Sequence, residues 1–310
     1  MLSPLAFELP AFLLGLLFGS FLNVCIARLP DHRSISKPRS HCPNCKQTIA
    51  WYDNIPLLSW IILRARCRQC NAPIPWRYPL VELAMGLWFL KVVSSLVTQY
   101  STNLPKISGP TTGDYIDVVG FLLLGFLLIG LLVMDWRTYT LPDAFTLTGT
   151  AIGFFLVCVQ AIFLAPGQDD VILSAQHSLR MSSPGSMASQ GNVFLTGPES
   201  LVFGRLAAIA GAALLLLAIR ALYKAVRHRD GLGLGDVKLL AMIAAFLGFW
   251  PAILSLFLGV ILTSVYALTL LARRRANALT RLPLGTFLAI GGLIAALFGT
   301  SLIGWYSSFL

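Results

Sequence analysis

Charge is what this sequence has least of. Only 12% of its 310 residues are charged, against roughly 25% in soluble domains. With 56% hydrophobic residues and a mean hydropathy of +0.76, a soluble domain could not cover its apolar surface with a polar skin. That leaves a polytopic all-α membrane protein, and disorder is excluded for most of the length. Acidic residues are scarcer than basic ones, 13 against 23, and the net charge is +10. Such a surplus suits nucleic acid. Here it gathers in loops between apolar runs, as the positive-inside rule requires, so no nucleic-acid partner is expected. No Lys or Arg precedes the first apolar run; Glu8 does, and Arg28 and Arg33 follow it. A cleaved signal peptide needs the opposite order, so this run reads as an uncleaved span with its N-terminus outside. GxGxxG is absent, and no Gly-Lys pair leads into Ser or Thr, so the nucleotide loops are missing. No internal repeat is evident, which leaves an inverted-repeat transporter without support.

Long apolar runs are abundant. A span needs about 20 mainly apolar residues. Eight candidates fall at roughly 8–27, 79–98, 117–134, 144–165, 201–222, 237–250, 252–271 and 284–307. The sixth is short and nearly merges with the seventh at Trp250-Pro251, which reads as a tight turn or, alternatively, a re-entrant pair. The loop between the first two spans carries nine basic residues, from Arg28 to Arg77. Lys224, Arg227 and Arg229 follow the fifth span, and Arg273, Arg274, Arg275 and Arg281 follow the seventh. The alternate loops, about 99–116 and 166–200, hold only Lys106 and Arg180. The basic loops are therefore expected in the cytoplasm. The organisation reads as a first span (1–28), a cytoplasmic loop domain (29–78) and a membrane domain (79–310) with a flexible exterior loop at 166–200.

Six cysteines are present, and four form two CxxC pairs, Cys42 with Cys45 and Cys67 with Cys70. Each CxxC turn brings two sulfurs to one metal, so the pairs read as a four-thiolate zinc site. A cytoplasmic loop keeps thiols reduced, and four cysteines close the coordination sphere, which makes such a site structural. Two disulfides are the alternative. Cys25 and Cys158 lie in spans and read as small apolar packing residues. His41 adjoins Cys42 but is not needed as a ligand.

With so few acids, each one near a span is informative, because ionisable groups at membrane depth are costly. Asp135 ends the third span, Asp143 starts the fourth, and Asp236 opens the sixth after Gly231, Gly233 and Gly235. All three fall at the same boundary. Two carboxylates in contact share a proton, one serving as base and the other as acid, and can activate water. The glycines would permit close approach and unusual dihedrals. Helix capping explains Asp143 and Asp236 equally well, so residue type alone leaves both readings open. Glu82 reads as a structural partner of Arg77 or a loop arginine, and Lys238 as a snorkelling anchor. A channel or transporter would want polar groups at mid-span, where there are almost none.

Taken together these blocks resemble the bacterial type IV prepilin peptidases, the prepilin leader peptidase/N-methyltransferases. Five blocks carry the resemblance: Gly19 to Val24 with Arg28-Leu29-Pro30; Cys42 to Cys70 running on to Arg77-Tyr78-Pro79 and Glu82; Asp135 to Pro142-Asp143; Gly233-Leu-Gly235-Asp236-Val-Lys238; and Leu282-Pro283-Leu284-Gly285. Many members have proline where Thr286 stands, and the 166–200 loop is longer than usual. The resemblance implies an inner-membrane aspartyl endopeptidase. It would remove the basic leader of prepilins or pseudopilins at the cytoplasmic face, before the substrate's hydrophobic helix. It would then methylate the new N-terminus with S-adenosylmethionine. Asp135 and Asp236 become the catalytic pair, with Asp143, Gly233, Gly235 and Lys238 in support. Cys42, Cys45, Cys67 and Cys70 become the zinc ligands. A peptidase without methyl transfer is the alternative, and a transporter or assembly scaffold is the alternative of another class.

Overall fold

The structure, a computed structural model, describes residues 5–31, 33–102, 112–179, 198–228, 232–273 and 282–308. Among them it shows nine α-helices and no strand: α1 (Leu5–Arg28), α2 (Leu58–Ile62), α3 (Arg77–Thr102), α4 (Thr112–Thr138), α5 (Asp143–Leu179), α6 (Pro198–Arg227), α7 (Leu234–Leu247), α8 (Phe249–Ala272) and α9 (Leu284–Ser307). Each of the eight expected apolar segments is a helix. Six are long and apolar enough to cross a membrane: α1, α3, α4, α5, α6 and α8. Helices suit apolar runs here because each backbone N–H and C=O is satisfied within the segment.

Helix α7 differs for a physical reason. Helix α7 has 14 residues, about 21 Å at 1.5 Å per residue, short of a hydrocarbon core of about 30 Å. Val237 and Leu239 to Ala245 are all buried. The helix is apolar all round because its neighbours are helices; α4, α5, α6, α8 and α9 all pack on it. It ends at Gly248, whose φ of +89° is a backbone state that favours glycine. The break between the sixth and seventh segments is thus at Gly248. Trp250-Pro251, expected as the turn, lies in the first turn of α8, where proline costs a helix little. Arg205 of α6 donates to the carbonyl of Phe246 at 3.0 Å and so serves the end of α7. Helix α9 is apolar over its 24 residues, Leu284–Ser307.

Helix α5 continues to Leu179, into the segment expected as a loop from 166. Pro166 and Gly167 do not end it. The rest of that loop, 180–197, lies outside the described residues, as do 103–111, Asp230 and Arg274 to Arg281. Helix α1 packs along α3, and α8 along α9. The core runs between them through Leu22, Met85, Leu128, Leu131, Met134, Leu240, Met242 and Leu288, all fully buried.

Candidate active site and metal centre

The four cysteines of the two CxxC pairs meet. Their Sγ atoms all lie within 4.8 Å of one another, and the Cys42–Cys70 pair is 3.7 Å apart. Zinc–sulfur bonds of about 2.3 Å in a tetrahedron put sulfurs about 3.8 Å apart, so the residues fit the ion. All six cysteines are free thiols, and the disulfide alternative falls. The segment with Pro56 and Trp60 folds back and joins the two pairs. The Trp60 indole N–H donates to the Ile74 carbonyl at 3.2 Å, and Arg68 grips Asp53 with two nitrogens at 2.6 and 2.8 Å.

A short internal repeat builds this centre, although none was expected. Cys42-Pro-Asn-Cys45-Lys-Gln-Thr-Ile49 and Cys67-Arg-Gln-Cys70-Asn-Ala-Pro-Ile74 form the same knuckle. Cys42 N–H donates to Gln47 O and Cys67 N–H to Ala72 O, each at 2.9 Å. Lys46 and Asn71 occupy the same left-handed position, with φ of 60° and 55°. His41 turns its Nδ1 to Arg39 O at 3.1 Å and stands outside the ligand group.

The knuckles also favour thiolates. The Ala72 N–H, and then the Asn44 amide, hold the Cys70 thiol down to about 6. The Cys45 N–H lowers Cys42. Although the Gln47 N–H favours its thiolate, partial desolvation and the thiols of Cys70, Cys42 and Cys67 push Cys45 up to about 11. Four clustered sulfurs oppose one another's ionisation, and a divalent cation removes that conflict.

The loop is tied to the membrane helices by a carboxylate. Glu82 of α3 is buried and accepts the Leu57 N–H at 2.8 Å and the Ser20 hydroxyl. No arginine pairs with it among the described residues. Arg77, its expected partner, lies instead over the Tyr78 ring at 5.0 Å.

Asp135, Asp143 and Asp236 gather at one end of the bundle. Asp135 sits in the last turn of α4 and is 5% exposed. Its charge acts on Asp236. Asp236 lies in the first turn of α7 and accepts the Gly233 N–H, as the third residue of a capped helix does. Capping and proximity therefore coexist. Gly233 has ordinary extended angles, φ −73° and ψ 145°; the unusual dihedrals expected of it are not needed. Its contribution is room, since a Cβ there would lie 3.2 Å from Asp236 Oδ2. Asp143 opens α5 and pairs with Lys238 Nζ at 2.6 Å, so Lys238 binds a carboxylate.

Residues for which the sequence indicated no role in the site complete the cluster. Leu141 wedges between helix starts: a Cβ on Gly235 would lie 3.1 Å from it, and one on Gly285 2.9 Å. The Gly285 Cβ would also lie 3.1 Å from Asp135 Oδ2. Thr286, 3% exposed, donates its N–H to Asp135 Oδ2 at 2.6 Å and its hydroxyl to the same oxygen at 2.9 Å. The signal for this was Leu282-Pro283-Leu284-Gly285, a turn into a helix whose first N–H groups lack partners.

Comparison with known proteins agrees with the geometry. Residues 13–96 match the bacterial peptidase A24 N-terminal domain. Residues 184–268, which include Asp236, match the type IV leader peptidase family. A "Prepilin leader peptidase/N-methyltransferase" of Stutzerimonas stutzeri is 32% identical over 99% of this chain and 96% of its own length. The chain belongs to the type IV leader peptidase family. A relative of the same name in Aeromonas hydrophila is 31% identical over 95% of this chain and 92% of its own length. That of Myxococcus xanthus is 36% identical over 87% of this chain, which spans 65% of that relative's length. No solved structure matches. Membership makes this an enzyme of the membrane, and the four-cysteine group that could hold a metal sits inside the segment matched by the family's N-terminal domain.

Proposed function

We propose that the protein is a membrane aspartyl endopeptidase that removes the leader of type IV prepilins or pseudopilins and then N-methylates the new N-terminus. The observation that carries the peptidase reading is the buried Asp135 set beside Asp236 at one end of the helices. One carboxylate takes a proton from water as the water oxygen attacks the scissile carbonyl carbon. The other gives a proton to the carbonyl oxygen. The tetrahedral adduct then collapses, the C–N bond breaks, and a proton goes to the leaving amine. Asp143 and Lys238 brace the starts of α5 and α7 around the pair, while Gly233 and Gly235 let Asp236 and Leu141 close in.

The positive-inside reading of the basic loops supports a cytoplasmic setting for this end of the bundle, at the bacterial inner membrane, where a leader is presented. A basic leader gains nothing from a +10 enzyme, so the acidic pair is its local attraction, and lipids flank the spans. Zinc at Cys42, Cys45, Cys67 and Cys70 holds the loop domain folded and supplies no chemistry to the cut. Methyl transfer is supported by the relatives' names, and S-adenosylmethionine as its donor by the resemblance to the family.

The test is leader release from a purified prepilin by Asp135→Asn and Asp236→Asn variants that retain zinc. Loss of cleavage in both is expected. Full cleavage by either one overturns the assignment of the pair.

A further inference from the structure

Asp135 and Asp236 are not equivalent. Both hydrogen bonds to the Asp135 carboxylate fall on one oxygen, Oδ2, and both come from Thr286. A backbone N–H can only donate, so Oδ2 is an acceptor at 2.6 Å. The hydroxyl lies 2.9 Å from Oδ2 and 3.3 Å from Leu132 O; its single proton has its shorter path to the carboxylate. Two donors on one buried oxygen favour the ionised form. The N–H also belongs to the first turn of α9, the positive end of that helix's dipole. Asp236 receives one donor, the Gly233 N–H. Oδ1 of Asp135 has no hydrogen-bond partner among the described residues.

We propose that Thr286 is the positioning residue of the pair: it clamps Asp135 Oδ2, keeps Asp135 ionised with Oδ1 facing the water, and leaves the shared proton on Asp236. This rests on the reading of Asp135 and Asp236 as the catalytic pair. Asp135 is then the base, and Asp236 the acid that protonates the carbonyl oxygen. Gly285 makes the clamp possible, because any side chain there would meet the Asp135 carboxyl.

Other titratable groups at this end do not blur the assignment. From α7, Asp236 faces Asp135 and Lys238 is engaged with Asp143 of α5. From α8 comes Tyr266, whose ring packs on Trp136 and Phe287. On α4 itself Arg137 interacts with Arg77 and Tyr78 of α3 and with Asp31. Glu82 of α3 is bound to Leu57 N–H. Helix α9 supplies no charged side chain to its own first turns.

The experiment is the pH profile of prepilin cleavage for wild type, Thr286→Val, Thr286→Ala and Thr286→Ser, with the thermal midpoint and zinc content of each. The rate rises with pH as the base ionises, so losing a donor to that base must move the acid limb to higher pH. Thr286→Val is expected to move it up by about one unit, a tenfold change in the proton equilibrium. Thr286→Ala reports the same shift where the valine variant folds poorly, and Thr286→Ser restores the wild-type limb. A limb that stays in place in a folded valine or alanine variant overturns the clamp, and so does a shift of the alkaline limb alone. Failure of the pair itself looks different, as retained cleavage by either asparagine variant.

Discussion

Replacing Gly285 by alanine puts a methyl group where the start of α9 meets Asp135 and Leu141. That carbon would stand 2.9 Å from Leu141 Cδ1 and 3.1 Å from both Cγ and Oδ2 of Asp135. Carbon contacts are optimal at about 3.5–4.0 Å, so Leu141 is too close by about 0.6 Å. The same Cδ1, with Cβ, lies 3.1 Å from the Cβ position of Gly235, so Leu141 is packed between both glycines. Asp135 is held in place by Thr286. Overpacking of this kind costs about 1–3 kcal/mol, and a misplacement of about 1 Å at a reacting group costs on the order of 100-fold in rate. With shifts of a few tenths of an ångström, Gly285→Ala should slow leader cleavage by about 10- to 100-fold at saturating substrate while zinc content stays unchanged. The control is on the same helix. Gly299→Ala meets nothing nearer than 3.8 Å and should cleave like wild type. The assay is single-turnover release of the leader by purified protein in detergent, with thermal unfolding alongside. Wild-type cleavage by a folded Gly285→Ala protein would show that the start of α9 has no part in placing Asp135.

Four further outcomes follow from the geometry. Cys67→Ser should lower bound zinc from one equivalent towards none, read by elemental analysis, and increase proteolysis within 29–78. Glu82→Ala removes the acceptor of the Leu57 N–H and should speed amide exchange at Leu57 and its neighbours, at a cost of about 1.5–3 kcal/mol in local stability. Asp53 is held below its usual range by the Arg68 guanidinium. Its contribution is present above the unfolded carboxyl value of about 3.9 and is lost as the pH falls through the lower, folded one. Asp53→Asn should therefore flatten the acid-induced loosening of the loop measured by hydrogen exchange. Lys238→Met breaks the partly exposed pair with Asp143 and should slow cleavage less than tenfold, against the loss expected for Asp236→Asn.

Much of the fold was legible because its causes are local. Apolar runs long enough to span predict helices wherever backbone groups must be satisfied internally, and all eight segments are helical. The two CxxC pairs declared a metal-type cluster because the knuckle geometry is set within eight residues. What could not be read depends on tertiary approach. The sequence of α7 looks like a lipid-facing span, yet five neighbours cover it, and only Gly248 betrays its early end. Pro166-Gly167 carries loop chemistry, yet α5 runs through it. Glu82 was assigned an arginine on charge, whereas a backbone N–H from a residue with φ of +59° takes it. Thr286 was visible only as a departure from the family's proline. Its value comes from a partner 151 residues away in sequence, which no spacing rule encodes.

The most direct test is intact-mass spectrometry of a prepilin incubated with S-adenosylmethionine and the purified, zinc-loaded protein, with Asp135→Asn and Asp236→Asn in parallel. The wild type should remove the leader and add one methyl group to the new N-terminus, and both variants should leave the prepilin at its starting mass. An uncut prepilin with a folded wild type, or a cut one with either variant, would contradict the account.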